Sequence, residues 1–557
     1  MRRTFLLFLV LACLLTAIPP ASADQPPTVY NPSETAAQRT ARLAWWHEAK
    51  FGLFLHFGIY AIAGKGEWNM RNSRIPIAEY AKFAAEFNPT KFNADQWAQI
   101  AHDAGMKYMV ITSKHHDGFA MFKSEASSYN VVDATPFHRD VIKELSEACP
   151  RHEVRFGVYY SALSDWGHPG GGIGCPPWDP AQKGDRDTYL QTIAQPQVHE
   201  LLTHYGPISE FWFDTDGATP MTPAQAAPFY QLLKLQPQVI IDDRLTGGGD
   251  FWTAEQRVPA LPPGNDWEAC ETINGGWGYS PTPSKPYPDL LRKLIDIVSK
   301  GGNLLLNVGP QPDGQLPADA VDRLEKMGAW LRVNGESIYG TTTGPFDFLS
   351  YGRSTRKGDM LYLQVFDWPV DGILHVPLSN AITSAYLLSD PAKTPLKFES
   401  VAGKLLLHVP QNAPDPVASV VALQVQGEPS PVHSLALNKP VETVQAGGNS
   451  GQFAVDDNPG TYWEPTGSSV QLQVDLQTPQ PISSVRIRFN SYSGTVPKFS
   501  LEYQDGDQWK TIFEDKNLPD DIYVKTFPAV TARKVRLNLL EAQGHLSITS
   551  FELFSPE

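Results

Sequence analysis

The residues able to do chemistry in this chain collect just behind short apolar runs. His56 follows Gly52-Leu53-Phe54-Leu55. His115, His116 and Asp117 follow Tyr108 to Ser113, and Tyr159 and Tyr160 close the next run. Asp214 and Asp216 follow Glu210-Phe211-Trp212-Phe213, and Asp242, Asp243 and Arg244 follow Val239-Ile240-Ile241. With Glu67, these imidazoles, carboxylates and a guanidinium can donate to or accept from several hydroxyls of a small polar ligand. Trp68, Trp212 and Trp277 can cover the apolar face of a sugar, and Asp214 and Glu255 are available as a carboxylate pair. Glycosidic cleavage uses one carboxylate at the anomeric carbon and a second, protonated group at the departing oxygen, and their separation decides retention or inversion. Each residue alone has a packing explanation. Successive side chains on a strand diverge, so His115 and His116 can enter one pocket only where the backbone is irregular. As metal ligands, His56, His115, His116 and Asp214 are suitable types, but they lack a short diagnostic spacing, and no metal is expected.

The elements that must position these residues read as a barrel. Strand-like runs at 51–57, 107–112, 154–160, 210–213, 238–241 and 303–308 alternate with helical patterns at 93–104, 139–149, 189–205, 287–298 and 320–333. Such alternation predicts a parallel sheet with helical crossovers, and six or seven units in one domain are housed best by an irregular (β/α)8-like TIM barrel. In a barrel the strand ends share one face, where active sites are built. The recurrence of polar residues in five units therefore outweighs any single histidine.

After residue 340 the runs become short and are separated by Pro, Gly, Asn and Asp, which predicts two all-β sandwich domains. The expected organisation is a signal peptide at 1–23, a catalytic barrel at 28–340, a small sandwich at 345–427 and a second sandwich at 432–557. Arg2 and Arg3, the apolar run 5–18 and Ala21-Ser22-Ala23 form the signal pattern, which predicts a periplasmic or secreted protein with no membrane span. Length and composition, 557 residues with 42% hydrophobic and 19% charged, exclude a disordered or fibrous chain. A formal charge of -15 argues against nucleic-acid binding. Beyond the signal only Cys149, Cys175 and Cys270 remain, so this is not a disulfide scaffold.

The first domain resembles the α-L-fucosidases of glycoside hydrolase family 29. The resemblance rests on Lys50-Phe51-Gly52-Leu53-Phe54-Leu55-His56-Phe57-Gly58, Glu67-Trp68, Lys114-His115-His116-Asp117-Gly118-Phe119 and Phe211-Trp212-Phe213-Asp214. It continues through Gly249-Asp250-Phe251-Trp252-Thr253-Ala254-Glu255-Gln256 and Gly302-Asn303-Leu304-Leu305-Leu306-Asn307, and covers roughly residues 30 to 425. It implies a retaining exo-glycosidase that releases terminal α-L-fucosyl residues from fucosylated glycans through a covalent intermediate, without a cofactor. Carried over, the nucleophile matches Asp214, and the sugar-contacting positions match His56, Glu67, Trp68, His115, His116, Tyr160, Trp212, Arg244 and Trp277. Glu255 is the best match for the acid/base, with Glu268 and Glu271 as rivals.

The last 120 or so residues resemble a discoidin-like sandwich of the coagulation-factor C-terminal class, through Leu435-Ala436-Leu437-Asn438-Lys439-Pro440, Ala454-Val455-Asp456-Asp457-Asn458 and Thr461-Tyr462-Trp463. Asp456 and Asp457 there could serve a structural calcium or simply a turn. The different-class alternative is a non-catalytic carbohydrate-binding or adhesion protein with a disabled barrel, which the presence of both Asp214 and Glu255 disfavours. No oligomeric state is specified. The mature protein should turn over an aryl α-L-fucoside. Equal or better activity on an aryl β-galactoside, or activity lost in chelator and restored by zinc, would overturn the reading.

Overall fold

A computed structural model describes residues 34–172, 177–214, 220–259, 263–346, 349–401, 404–444, 450–456, 458, 461–467, 469–489, 493–518 and 522–556. The signal segment, Cys175, Asp216 and Asp457 lie outside the described residues. Eight parallel strands curl into one sheet: β1 (Phe51–Leu55), β2 (Tyr108–Lys114), β3 (Arg155–Ser161), β4 (Glu210–Asp214), β5 (Ile240–Ile241), β6 (Trp252–Glu255), β7 (Trp267–Thr272) and β8 (Asn303–Val308). Their order is β5-β4-β3-β2-β1-β8-β7-β6, with β1 central and β5 and β6 at the two ends. Those ends meet through a single parallel bridge, Asp242 to Phe251. The expected irregular barrel is thus present, with a seam where β5 and β6 meet.

Six of the strands coincide with the apolar runs. Strands β6 and β7 do not: Trp252-Thr253-Ala254-Glu255 alternates apolar and polar residues, and Trp267-Glu268-Ala269-Cys270-Glu271-Thr272 is interrupted by Glu268, Glu271 and Thr272, so neither offers a continuous apolar run. The alternation itself is the two-faced pattern of a strand. Phe51, Leu53 and Leu55 pack outward into the large core beneath the helices, whereas Phe54 joins Tyr108, Val110, Tyr159, Trp212, Ile240, Cys270 and Leu305 inside the barrel. Gly52 is required here, since a Cβ at that position would lie 2.5 Å from the Tyr108 ring.

Helix α1 (Ala36–Ala49) plugs the lower end of the barrel. Thr35 caps it in a reciprocal capping box with Gln38, which satisfies two otherwise unpaired amides. Its Leu43, Trp46 and Ala49 enter the interior cluster, and Lys50 in the left-handed region (φ 59°) turns the chain straight into β1. From the same helix, Arg42 reaches the seam. Its guanidinium donates to both Asp250 oxygens at 2.6 and 2.7 Å and to the Val239 carbonyl at 3.2 Å, with Glu34 backing it at 2.7 and 2.8 Å. Asp250 in turn accepts from the Ile241 amide at 3.0 Å, and the Asp250 amide donates to the Ile241 carbonyl at 2.8 Å. Gly249 permits this approach, because a Cβ there would stand 2.0 Å from the Asp242 carbonyl oxygen.

Beyond the barrel, the strands Ile382–Leu387, Ser419–Val425, Met360–Val365, Gly352–Lys357 and Thr342–Thr343 form one antiparallel sheet, faced by Ile373–Val376, Lys404–His408 and Phe398–Val401. This unit leans on the barrel helices, where Trp330 donates to the Ala418 carbonyl at 2.8 Å and Arg353 pairs with Asp296. The C-terminal sheet runs Val441–Val444, Ser469–Phe489, Ile522–Leu540, Ser493–Asp505, Gln508–Leu518, with Ile548–Phe554 added on Ser469–Phe489. Ser469–Phe489 is one long strand whose pairing with Ile522–Leu540 shifts register between Asp475 and Gln480. Trp463 is fully buried in that unit's core. Asp456 accepts from the Asn458 amide and the Thr461 hydroxyl, the arrangement of a turn. Among the described residues no helix is long and apolar enough to cross a membrane.

The barrel floor holds a buried carboxyl pair, Glu210 on β4 and Glu268 on β7. Tyr108 donates to Glu268 at 2.6 Å, and the indoles of Trp46 and Trp212 face it without reaching full hydrogen-bond geometry. Burial raises both carboxyls, Glu268 to about 7, and the two are close enough to share a proton. The folded state then binds a proton that the unfolded chain has released, so stability falls as pH rises from the ordinary glutamate value of 4.5 to about 7. Glu268→Gln should flatten that decline in urea-unfolding curves taken across the interval. An unchanged slope would show that the pair does not titrate there.

Candidate active site

At the upper ends of the strands the inward-facing side chains converge. Asp214 ends β4 and receives three groups: the Tyr159 hydroxyl donates to Oδ2 at 2.6 Å, Arg244 donates to Oδ1 at 2.9 Å, and His116 Nε2 stands 3.4 Å from Oδ2. Burial pushes the Asp214 carboxyl up, but Arg244, His116 and Tyr159 together outweigh it and hold it below the usual aspartate value. Asp214 is thereby kept ionised in a closed site, as a nucleophile or an electrostatic stabiliser must be.

The same Arg244 guanidinium donates through its other nitrogen to Glu255 Oε2 at 2.6 Å, which brings the two carboxylates together. Arg244 lies over the Trp212 ring, 4.6 Å from its centroid, and Trp212 stacks on Tyr159 at 5.6 Å and 20°. Trp212 is 2% exposed and supports the arginine from below, so it forms the floor of the pocket and not a wall. Asp243 accepts from both the amide and the hydroxyl of Thr253, and so ties the loop after β5 to β6.

The histidines enter one pocket because β2 is irregular: pairing with β3 steps from Thr112–Tyr159 to Lys114–Tyr160, skipping Ser113. That slip turns Lys114 outward onto Asp165 at 2.8 Å and the Tyr189 hydroxyl at 2.6 Å, and lets both following imidazoles face in, 4.3 Å apart. The Ser161 hydroxyl gives its one proton to the Ser164 carbonyl, so His116 Nδ1, 2.6 Å from Ser161 Oγ, is the donor to that hydroxyl. His115 stacks on Tyr159 at 5.5 Å and 10°, and its Nδ1 is buried with no protein partner among the described residues. His56 Nδ1 pairs with Asn307 Oδ1 at 2.7 Å, while Asn307 donates to the Trp277 carbonyl at 2.7 Å. Burial lowers His56 to about 3, so it is neutral and its Nε2 is left as an acceptor.

Glu67 is 5% exposed and accepts from the Gly278 amide at 2.6 Å, which clamps the Trp277 loop against the Trp68 loop. The Trp277 ring lies 5.1 Å from His56, and Trp68 meets His116 edge-on at 5.2 Å. His56, Glu67, Trp68, His115, His116, Trp212, Asp214, Arg244, Glu255 and Trp277 therefore belong to one site.

Tyr160 does not. It faces outward, donating to Gln197 at 2.8 Å beneath the helices, and its neighbour Tyr159 is the pocket residue. Alternate residues of a strand face opposite sides, so the two tyrosines cannot share the pocket. Tyr159 shares the inward face with Gly157 and Ser161, but nothing in the sequence says which of the two parities faces inward. The rivals of Glu255 are elsewhere as well. Glu268 is in the floor described above, two positions below the level of Glu255 on the β6–β7 ladder, where Glu255 pairs with Cys270. Glu271 faces out to Lys293 at 2.8 Å. Cys149 and Cys270 are free, and among the described residues no group of three or more His, Cys, Asp or Glu is arranged around a metal position.

The description of the alpha-L-fucosidase family matches residues 17–336, more than half of the chain. The chain belongs to the α-L-fucosidase family. A plasma alpha-L-fucosidase of Rattus norvegicus is 33% identical over 67% of this chain and 87% of its own length. An α-L-fucosidase structure from Vibrio sp. strain EJY3 has a TM-score of 0.71 at 26% identity, covering 93% of this chain and 98% of that one. A Bacteroides thetaiotaomicron family 29 α-L-fucosidase, solved as a trapped covalent intermediate with 2-fluoro-fucosyl fluoride, has a TM-score of 0.63 at 28% identity, covering 70% and 96%. Residues 439–553 match the F5/8 type C domain.

In this fucosidase pocket Tyr159 and Tyr160 provide an internal control. A hydrogen bond to a charged group contributes about 1.5–3 kcal/mol, so Tyr159→Phe should cut kcat/KM by roughly 10- to 100-fold. Asp214 ionises at a lower pH because Tyr159 donates to it, so the same variant should shift the acid limb of the kcat/KM profile to higher pH. Tyr160→Phe should leave the limb in place. An acid limb that moves in neither variant would show that Tyr159 does not tune Asp214.

Proposed function

We propose that Asp214 is the nucleophile and Glu255 the acid/base of this enzyme. Membership of the family makes the chain a retaining, exo-acting α-L-fucosidase that acts on fucosylated glycans. The observation that supports the residue assignment is the single Arg244 guanidinium hydrogen-bonded to both carboxylates, a span compatible with the separation of about 5–5.5 Å used by retaining hydrolases.

In the first step an Asp214 oxygen attacks the anomeric carbon while Glu255 gives its proton to the departing glycosidic oxygen, leaving a fucosyl ester on Asp214. In the second, the Glu255 carboxylate takes a proton from water as that water displaces Asp214, and the anomeric configuration is restored. Arg244, Tyr159 and His116 hold Asp214 as the anion before attack. The neutral His56, the buried His115 Nδ1 and the Glu67 carboxyl supply hydrogen-bonding positions for the sugar hydroxyls, and Trp68 and Trp277 supply apolar surface for the ring and its methyl group.

The signal pattern supports a periplasmic or secreted enzyme. We assign residues 432–557 to an accessory role, glycan tethering or packing, because every pocket residue precedes residue 280. A chain ending near Gly427 that keeps activity on aryl fucosides and loses it only on large glycans would establish tethering, and equal loss with a lowered Tm would establish packing.

Glu255→Gln should lose activity on fucosides with poor leaving groups. It should regain turnover of an activated aryl fucoside when azide is added, with α-fucosyl azide as product, because azide displaces Asp214 from the face that water would use. Rescue in Glu268→Gln and none in Glu255→Gln would transfer the role to the floor glutamate. Asp214→Asn should abolish fucose release, and residual release at the wild-type rate would remove Asp214 from the mechanism.

A further inference from the structure

The two catalytic carboxylates stand on opposite sides of the one seam in the barrel. Asp214 is tied by strand pairing to the β3 side, opposite Ser161, while Glu255 is tied to the β7 side, opposite Cys270. Between these halves β5 has two residues, and its contact with β6 is the lone Asp242–Phe251 bridge. Through the ladder, the path from Asp214 to Glu255 runs the long way round, by β3, β2, β1, β8 and β7. Each step in that path carries its own twist, so the ladder alone sets the separation of the carboxylates loosely.

Side chains close the seam. Near its upper end are Asp243–Thr253 and the Arg244 bridge, which lies in the pocket and must adjust when a sugar enters. At its lower end is a connection no sugar reaches: Arg42, 4% exposed, bonded to both Asp250 oxygens and to the Val239 carbonyl, with Asp250 joined to both backbone groups of Ile241. Val239 and Ile241 belong to the β5 side, and Asp250 leads directly into β6. From Asp250 to Glu255 is five residues of nearly extended chain, about 16 Å at 3.3 Å per residue.

We propose that Arg42 and Asp250 are positioning residues for the acid/base: by stapling the lower seam they set where β6, and with it Glu255, stands relative to Asp214. The proposal rests on the reading of Glu255 as the acid/base. A displacement of β6 leaves Asp214 on its own ladder, so the loss falls on proton delivery to the leaving group and not on nucleophilic attack. Misplacement of about 1 Å costs on the order of 100-fold in a positioned catalytic group.

The test is the leaving-group dependence of kcat/KM across aryl α-L-fucosides, from dinitrophenyl to unsubstituted phenyl, in full-length wild type, Asp250→Asn, Arg42→Lys, Arg42→Met and Glu255→Gln. An activated phenol departs without a proton, whereas phenol itself needs the acid. Asp250→Asn should lose roughly 10- to 100-fold on the phenyl fucoside and less than about 3-fold on the dinitrophenyl fucoside, a steepening in the same sense as Glu255→Gln. Arg42→Lys should lie between wild type and Arg42→Met. Near-isosteric Asp250→Asn and cationic Arg42→Lys carry the test if Arg42→Met does not fold. Equal losses on all substrates, or none, with Glu255→Gln still steep, would overturn the positioning role and leave the acid/base reading standing. A Glu255→Gln slope equal to wild type would overturn the acid/base reading itself.

Discussion

One guanidinium held between two carboxylates is the constraint around which this site is organised. Arg244 meets Asp214 and Glu255 at hydrogen-bond distance, and it does so across the seam where β5 and β6 meet through one bridge. Two carboxylates this close would repel and one would be forced to take up a proton; the shared cation instead allows Asp214 to stay charged despite its burial. The surroundings serve that cation. Trp212 presents its face to Arg244, Tyr159 braces Trp212 and donates to Asp214, and Thr253 on β6 is gripped by the neighbouring Asp243. Trp212 and Asp214 on β4, and Thr253 and Glu255 on β6, are each two residues apart and so share a face, while Asp243 and Arg244 reach in from the loop after β5.

The interior is layered by the same rule. Below the site, where most barrels carry branched aliphatic residues, this one places Glu210, Glu268 and Tyr108 beside Trp46 and Trp212. A polar floor is tolerable because burial raises both carboxyls towards the protonated, neutral form and Glu268 accepts from Tyr108. Helix α1 completes the floor with Trp46 and also supplies Arg42 to the seam. One amphipathic helix thereby links the N-terminal plug to the strand that carries Glu255.

Among the described residues, every side chain placed in the site comes from the barrel and none from the β-only units. The first shares core and hydrogen bonds with the barrel helices Tyr287–Ser299 and Ala318–Asn334, and steadies them from outside. The second is built around its own buried core, with Trp463 at its centre. Family membership, barrel geometry and site chemistry thus all reside in the first part of the chain, while the C-terminal match to an F5/8 type C domain adds a separate surface.

Residue type and local period were enough to read the barrel, six of its strands, several of its helices though not Pro223–Leu233, the β texture beyond residue 340 and the convergence of His56, His115, His116, Asp214 and Arg244 on one face. These are local properties: an apolar run ending in a polar residue reads the same whatever it packs against. Register and parity are not local. Tyr159 and Tyr160 are adjacent and chemically identical, and only the hydrogen-bonded alignment of β3 with β2 and β4 turns the first into the pocket and the second away from it. Glu255, Glu268 and Glu271 differ in height and facing, which depend on where β6 and β7 start against β8. The seam is less local still, because nothing in the residues of β5 or β6 marks them as the two ends of the sheet. Only closure of the sheet, with a helix far upstream in the chain supplying Arg42, decided that the ladder would stop there and that side chains would carry the join.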